Sequence, residues 1–375
     1  MPEIWLRYGT TDIALDIKFE NLLDQISTDS FGLLSEDEIK STLYNILVND
    51  NMLIIALSGG KSVAKVIMVI LEIARLRGYT NITVAVISKL SSILKTNLIV
   101  DKSISILNID SYPELQGIIQ KFQSTIFVSQ TSYDPLFGFG GAPTALLRNF
   151  MKREMTEAFN ARQSNLPNPG IKSRSLEIAV SACKNIQAAS IELIANKSGI
   201  IEMCHGSTTQ AFNDAITKLS SICVLEAQIS KSAIVSSSGE VNPHLTLSDS
   251  LNTLWNSLHV VRENGSVILL AESRGGVGGG ALQMFIEGRL NVEELKQKRS
   301  YIDGLEHLLY IKELREKYNI GILTALPEYY LKTKLGLSCF TSIRDVLDRL
   351  LVKHGKYHKI LVLADADVIL MKPKI

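Results

Sequence analysis

Residues 52–62, MLIIALSGGKS, decide the fold. Met52 to Leu57 form a short, unbroken apolar run. A strand with one wet face alternates polar and apolar residues, whereas an unbroken run is buried on both faces, as in a parallel sheet covered by helices. The run ends in Ser58-Gly59-Gly60-Lys61-Ser62, and a helical pattern follows to Arg77. Strand, glycine turn and helix in that order make the repeating unit of a parallel α/β sheet.

Outward from this stretch the unit recurs. Residues 82–87, 104–109 and 124–129 read as further strands. Upstream, Ile4, Leu6 and Tyr8 alternate, and with Ile13 to Ile17 they predict a hairpin; residues 36–49 read as a helix with an acidic start. Downstream come a loop over 130–144, a helix from Ala145 to Arg162, a connector over 163–173 and a long helical pattern from Ser175 to Asn196. Strands at 200–205 and 222–228 flank a further helix. A second series starts near Ser230, with strands at Ala233–Ser236, Ser266–Ala271 and 320–325 and a last pair at Lys359–Leu363 and Val368–Met371. Helices at Ser248–Arg262, over most of 281–317 and at Ser342–Lys353 separate them. The prediction is an α/β protein of two domains, residues 1–229 and 230–375, each a mostly parallel sheet flanked by helices, with a ligand cleft between them.

A chain of 375 residues, 46% of them hydrophobic, has material for two cores. Lys and Arg total 39 against 38 Asp and Glu, a net charge of +1. Such a balance supplies no field to steer the protein onto nucleic acid or an anionic membrane. The basic clusters at Lys152–Arg153, Lys296–Arg299 and Lys353–Lys359 are interrupted and read as solvated helix faces. No run approaches the roughly 18 apolar residues of a membrane span, and MPEIWLRYGTTD is no secretory signal. Four cysteines with apolar flanks and no C-x-x-C pair read as buried free thiols of a reducing compartment, which places the protein in the cytoplasm. His354 and His358 have i,i+4 spacing but no accompanying glutamate, so no metal site is read there.

Three glycine-rich turns join a strand to a helix, where free N–H groups and the helix dipole favour anions. The first, Ser58 to Ser62, ends like a phosphate-binding loop but has Ile55 where that motif needs glycine. The second, GFGGAPT over 138–144, exposes the backbone of Gly140 and Gly141 beside Phe137 and Phe139. The third, RGGVGGGA over 274–281, formally fits a dinucleotide fingerprint, yet no acidic residue closes a second strand to grip a ribose. An ordinary tight turn would read like the first, and an aromatic-packed loop like the second. So many glycines cost entropy unless something approaches the backbone, either a ligand or the facing domain.

The order of parts resembles the LarA-type nickel-pincer lactate racemases. The clearest likeness is ENGSVILLAESRGGVGGG over 263–280, a strand running into a glycine loop; the GFGG loop at 138–141 and the closing ILVLADADVILMKP also correspond. The resemblance implies a nickel pincer tethered to a lysine, histidines as ligand and as acid/base pair, and basic residues on the substrate carboxylate. By that likeness the histidine- and arginine-bearing turn falls on Leu57 to Lys61. The second acid/base histidine falls near Lys89, and the histidine before the GF-x-GG loop on Asp134. The tethering lysine falls on Thr144, the nickel ligand near Asn160 and a substrate lysine near Asn252. Threonine cannot form the lysine's amide link, so no cofactor is expected here.

The expectation is therefore a diverged relative that binds a small carboxylate or other anion. Its contacts would be Ser58, Gly59, Gly60, Lys61, Ser62, Gly140, Gly141, Thr144, Arg274 and Gly276, with Lys61 and Arg274 supplying the charge. Two alternatives stand beside it. An active racemase or epimerase of a 2-hydroxy acid would use Lys89, Asp134 or His205 for proton transfer. A partner subunit of an active paralogue, or a homo-oligomer, would need no small ligand.

Overall fold

A computed structural model of the chain describes residues 3–46, 49–98, 106–162, 164–240, 245–292 and 300–374. The basic stretch at 296–299 and the start of the strand expected at 104–109 lie outside these residues.

The chain opens with the expected hairpin, β1 (Glu3–Tyr8) against β2 (Thr11–Asp16), followed by β3 (Leu22–Ile26). The first series is α1 (Glu36–Ile46), β4 (Met52–Ala56), α2 (Lys61–Leu76), β5 (Ile82–Ile87), α3 (Ser91–Asn97), β6 (Ile106–Ile109), α4 (Tyr112–Ile119) and β7 (Ser124–Gln130). A short hairpin, β8 (Ser132–Asp134) and β9 (Gly138–Gly140), leads into α5 (Ala142–Phe150), α6 (Lys152–Asn160) and α7 (Arg174–Cys183). Then come β10 (Ala189–Asn196), β11 (Gly199–Ser207), α8 (Thr208–Ile222) and β12 (Val224–Ala227). The second series is β13 (Ser230–Ser236), α9 (Leu247–Trp255), β14 (Val261–Leu270), α10 (Ala281–Ile286), α11 (Leu305–Leu314), β15 (Asn319–Leu323), β16 (Ser338–Phe340), α12 (Ile343–His354), β17 (Ile360–Leu363) and β18 (Leu370–Pro373).

Two six-stranded sheets result. The first has the order β11-β10-β7-β4-β5-β6, parallel except for β11. The second, β16-β15-β14-β13-β17-β3, is parallel throughout. The α/β class and the two mostly parallel sheets are as expected. All of β4 is buried, which is why its sequence shows no polar face. Among the described residues no helix is long and apolar enough to cross a membrane.

Three expectations need correction. The pattern from Ser175 to Asn196 is not one helix: α7 ends at Cys183 and β10 follows. Seven of the eight residues of β10 are buried, between β7 and β11, and a buried apolar run carries no period to separate strand from helix. The division at residue 229 also fails to describe the start of the chain. β3 pairs with β17, and Ile4, Leu6, Leu15 and Ile17 pack with Ile234, Ile268 and Val362 of the second sheet. The first hairpin and β3 thus cover one face and one edge of that sheet, a pairing across more than 330 residues that no local pattern encodes. The cysteines are free as expected, but Cys204 and Cys339 are half-buried where full burial was read.

Candidate functional site

The strand order locates the site. From β4 the chain adds β5 and β6 on one side, then returns to place β7 on the other. At such a switch point two loops leave the carboxyl ends of adjacent strands in opposite directions and open a crevice. A cleft of about 420 Å³ opens there. Ser58 after β4 and Gln130 at the end of β7 form its floor, and Gly140, Thr144 and Arg148 form a wall. Across it stand Asn252 of α9, Gly278 and Gly279 before α10, and Glu306 and His307 of α11. The three glycine turns therefore contribute to one cleft.

Their anion-binding ends, however, are already occupied by the protein. At the start of α2, the Ser62 N–H and Oγ both donate to Glu240 Oε2 at 3.3 Å. Gly60 is glycine because a Cβ there would lie 2.4 Å from the Glu240 carbonyl oxygen. At the start of α5, the Ala142 N–H donates to Glu192 Oε1 at 2.9 Å, Ser190 Oγ donates to the same oxygen at 3.2 Å, and Thr131 Oγ1 donates to Oε2 at 2.9 Å. Glu192 is fully buried, and burial pushes its pKa up to about 7 against the pull of those donors. In the third turn, Gly280 has φ +74° and a Cβ there would meet the Asp303 carbonyl oxygen at 2.1 Å. What approaches these glycines is the protein's own chain.

The expected contacts divide accordingly. Ser58, Gly140, Gly141 and Thr144 line the cleft. Gly59, Gly60 and Ser62 are committed elsewhere, Gly59 through its carbonyl to Asn97 Nδ2 at 2.8 Å. Lys61 is exposed on the first turn of α2, outside the lining. Arg274 is exposed and bonded to Glu272 Oε1 at 2.6 Å, and Gly276 accepts from the Leu247 N–H at 3.0 Å; neither reaches the cleft. The two cations expected to hold an anion are thus both corrected out of the site: helix geometry turns Lys61 to solvent, and Glu272 captures Arg274.

The expected proton-transfer groups fare differently. Lys89 stands exposed at the rim of the cleft. His205 is exposed on the edge strand β11, opposite Ile191 and away from the cleft, so it is no acid/base for it. Asp134 does face the cleft, yet its Oδ1 accepts from the Leu136 and Phe137 N–H groups at 2.8 Å each, and Arg148 Nη2 lies 3.0 Å from Oδ2. Those bonds make it an anchor for the β8–β9 hairpin.

Sequence reasoning missed the centre of the site. The half-buried Arg148 sits between Asp134 and Glu306, with Nη1 2.6 Å from Glu306 Oε1. Burial opposes its charge, but the two carboxylates outweigh burial and raise its pKa well above the ordinary value. Beside it the Trp255 Nε1–H donates to His307 Nδ1 at 3.0 Å, and burial lowers the pKa of His307, which keeps the ring neutral. A signal existed: Glu306-His307 interrupts an apolar helix, LEHLLYIKEL, that is buried almost all round.

The lactate racemase cofactor does not fit these residues. Thr144 Oγ1 accepts from the Gly141 N–H at 2.9 Å and donates to the Gly141 carbonyl at 3.0 Å, so the position matched to the tether is consumed in capping α5. Asn160, matched to the nickel ligand, is exposed at the end of α6 and outside the lining. His307, the one histidine among the described lining residues, has Nδ1 bound to Trp255.

Two mostly parallel-sheet units closing on a polar cleft at a switch point define an α/β architecture of the doubly wound class. The particular fold is that of lactate racemase: the apoprotein from Thermoanaerobacterium thermosaccharolyticum superposes with a TM-score of 0.76 at 13% identity, over 99% of this chain and 100% of that one. A protein from Thermotoga maritima matches with a TM-score of 0.65 at 12% identity, over 92% of this chain and 100% of its own. No family model and no curated protein matches the sequence. The chain therefore has a LarA-like fold, and at these identities the fold is what is shared.

Proposed function

We propose that this protein binds one small polar organic molecule in the cleft between its two sheets, without the pincer chemistry of lactate racemase. One observation carries the reading: polar side chains from both units converge on an open cleft at the carboxyl ends of β4 and β7. The capped hydroxyl of Thr144 at the tether position supports binding over racemisation. The proposal departs from a simple anion receptor. Lys61 and Arg274 face away, and Glu240 and Glu192 fill the helix starts where an anion would dock.

Gly279 provides the test. It lines the cleft, and a Cβ there meets nothing within 4 Å. Gly279→Phe therefore fills the cleft without straining the fold. Ligand-observed NMR against a mixture of short hydroxy acids, polyols and amines should give saturation-transfer signals that Gly279→Phe abolishes at unchanged thermal stability. Signals that persist in the variant place binding elsewhere and refute the proposal.

A further inference from the structure

We infer that His307 is a fixed, uncharged hydrogen-bond donor of the cleft, and that it receives an uncharged carbonyl oxygen of the ligand, as in a carboxamide or a ketone. This rests on the cleft being a binding site and goes on to name the group that the site recognises.

The tautomer follows from Trp255. An indole N–H can only donate, so the His307 Nδ1 that lies 3.0 Å from Trp255 Nε1 must carry a lone pair. The proton of the neutral ring then sits on Nε2, and Nε2 can only donate. Trp255 is fully buried and packs edge-on against Tyr310 at 5.8 Å, while the Tyr310 hydroxyl donates to the Pro135 carbonyl at 3.0 Å. The indole is thus held in place, and it holds the imidazole. Of the charged groups around the ring, Glu306, Asp134 and Asp303 favour a second proton and Arg148 opposes it, but burial outweighs them and keeps the ring neutral.

The donor is within reach of a ligand. His307 lines the cleft, and among the described residues Nε2 has no hydrogen-bond partner. It is not one of the unpartnered polar atoms sealed away from solvent, so its proton is open to the cleft. A neutral imidazole placed in this way hydrogen-bonds a carbonyl oxygen without giving up its proton.

Charge sets the kind of acceptor. The lining holds four carboxylates, Asp134, Asp249, Asp303 and Glu306, against two cations, Lys89 and Arg148. Arg148 is engaged by Asp134 and Glu306, and Lys89 lies exposed at the rim. The excess repels a carboxylate from the single neutral donor, whereas an uncharged carbonyl pays no such penalty.

Selective 15N labelling of histidine in the full chain reads the tautomer without any ligand. At about pH 5.5, where an ordinary histidine is mostly charged, His307 should show a bare Nδ1 and a protonated Nε2, its signals identified by their loss in His307→Gln. Trp255→Phe should return the ring toward ordinary titration, which marks Trp255 as the positioning residue. An imidazolium at that pH in wild type, or a proton on Nδ1, overturns the inference. Calorimetry then compares two matched pairs: D-lactamide with D-lactate, and dihydroxyacetone with glycerol. At least one carbonyl member should bind saturably and more tightly than its match. His307→Leu should weaken it about tenfold. His307→Gln should retain most of the affinity, since its amide can accept from Trp255 and donate to the ligand. Equal binding by His307→Leu overturns the role of His307. Tighter binding of D-lactate or glycerol, abolished by Gly279→Phe, overturns the carbonyl and leaves the cleft site standing. Absence of binding by all four probes also overturns the carbonyl. If the metabolite mixture then gives no signal sensitive to Gly279→Phe, the cleft site falls with it.

Discussion

Arg148 Nη1 lies 2.6 Å from Glu306 Oε1, and this pair ties α5 of the first sheet's unit to α11 of the second. Asp134 shares the same guanidinium at 3.0 Å, so one cation serves two buried carboxylates at the wall of the cleft. The wall is thereby polar and short of positive charge.

Removal of that cation should be costly. Arg148→Met leaves Asp134 and Glu306 buried without a counter-charge, which by analogy with other buried pairs lowers unfolding stability by about 3–5 kcal/mol. Arg148→Lys should recover little, because an ammonium lacks the planar fork that reaches both partners. Arg148→Met combined with Glu306→Gln should recover part of the loss. Urea denaturation of the three variants measures each value.

Gly60→Ala should destabilise the protein by about 1–3 kcal/mol through overpacking. The backbone itself tolerates alanine at φ −62°, so the cost is steric: the new Cβ would lie 2.4 Å from the Glu240 carbonyl. Gly59→Ala is the comparison, since its Cβ meets side-chain atoms rather than backbone, Ile93 at 3.1 Å and Leu90 at 3.9 Å. Equal denaturation midpoints for the two variants would contradict the packing described for Glu240.

Glu192 gives a pH signature. Burial raises its pKa from 4.5 to about 7, so the folded state holds the proton more tightly than the unfolded state. Its contribution to stability is fully present below 4.5 and is lost as pH rises through 7. The stability of wild type relative to Glu192→Gln should fall across that window, as read by thermal denaturation at a series of pH values.

His358 has the opposite sign. Burial, then His354 and Lys231, lower its pKa from 6.5 to about 4, while Ser232 Oγ and His358 Nε2 lie 2.6 Å apart. The folded state disfavours the proton, so the contribution is present above 6.5 and is lost as pH falls through 4. The stability of wild type relative to His358→Asn should decline on acidification over that interval. A flat difference would show that His358 titrates normally.

The sequence alone determined the alternation of strand and helix, the two mostly parallel sheets and the bends that frame the cleft, at Ser58 and at Gly140–Gly141. Those features follow from periodicity and from turn chemistry, which are properties of neighbouring residues. Only the tertiary structure decided that β3 belongs to the second sheet, that residues 189–196 form a strand, and which charges face the cleft. Lys61 and Arg274 looked like the cations of the site, but Arg148, Glu306 and Gln130 occupy it, and Glu240 and Glu192 fill the helix starts. A side chain's partner is chosen by the packing of distant elements: Arg148 meets Glu306 across 158 residues and Ser62 meets Glu240 across 178. No local pattern carries that choice, because burial and pairing are set only when the sheets come together.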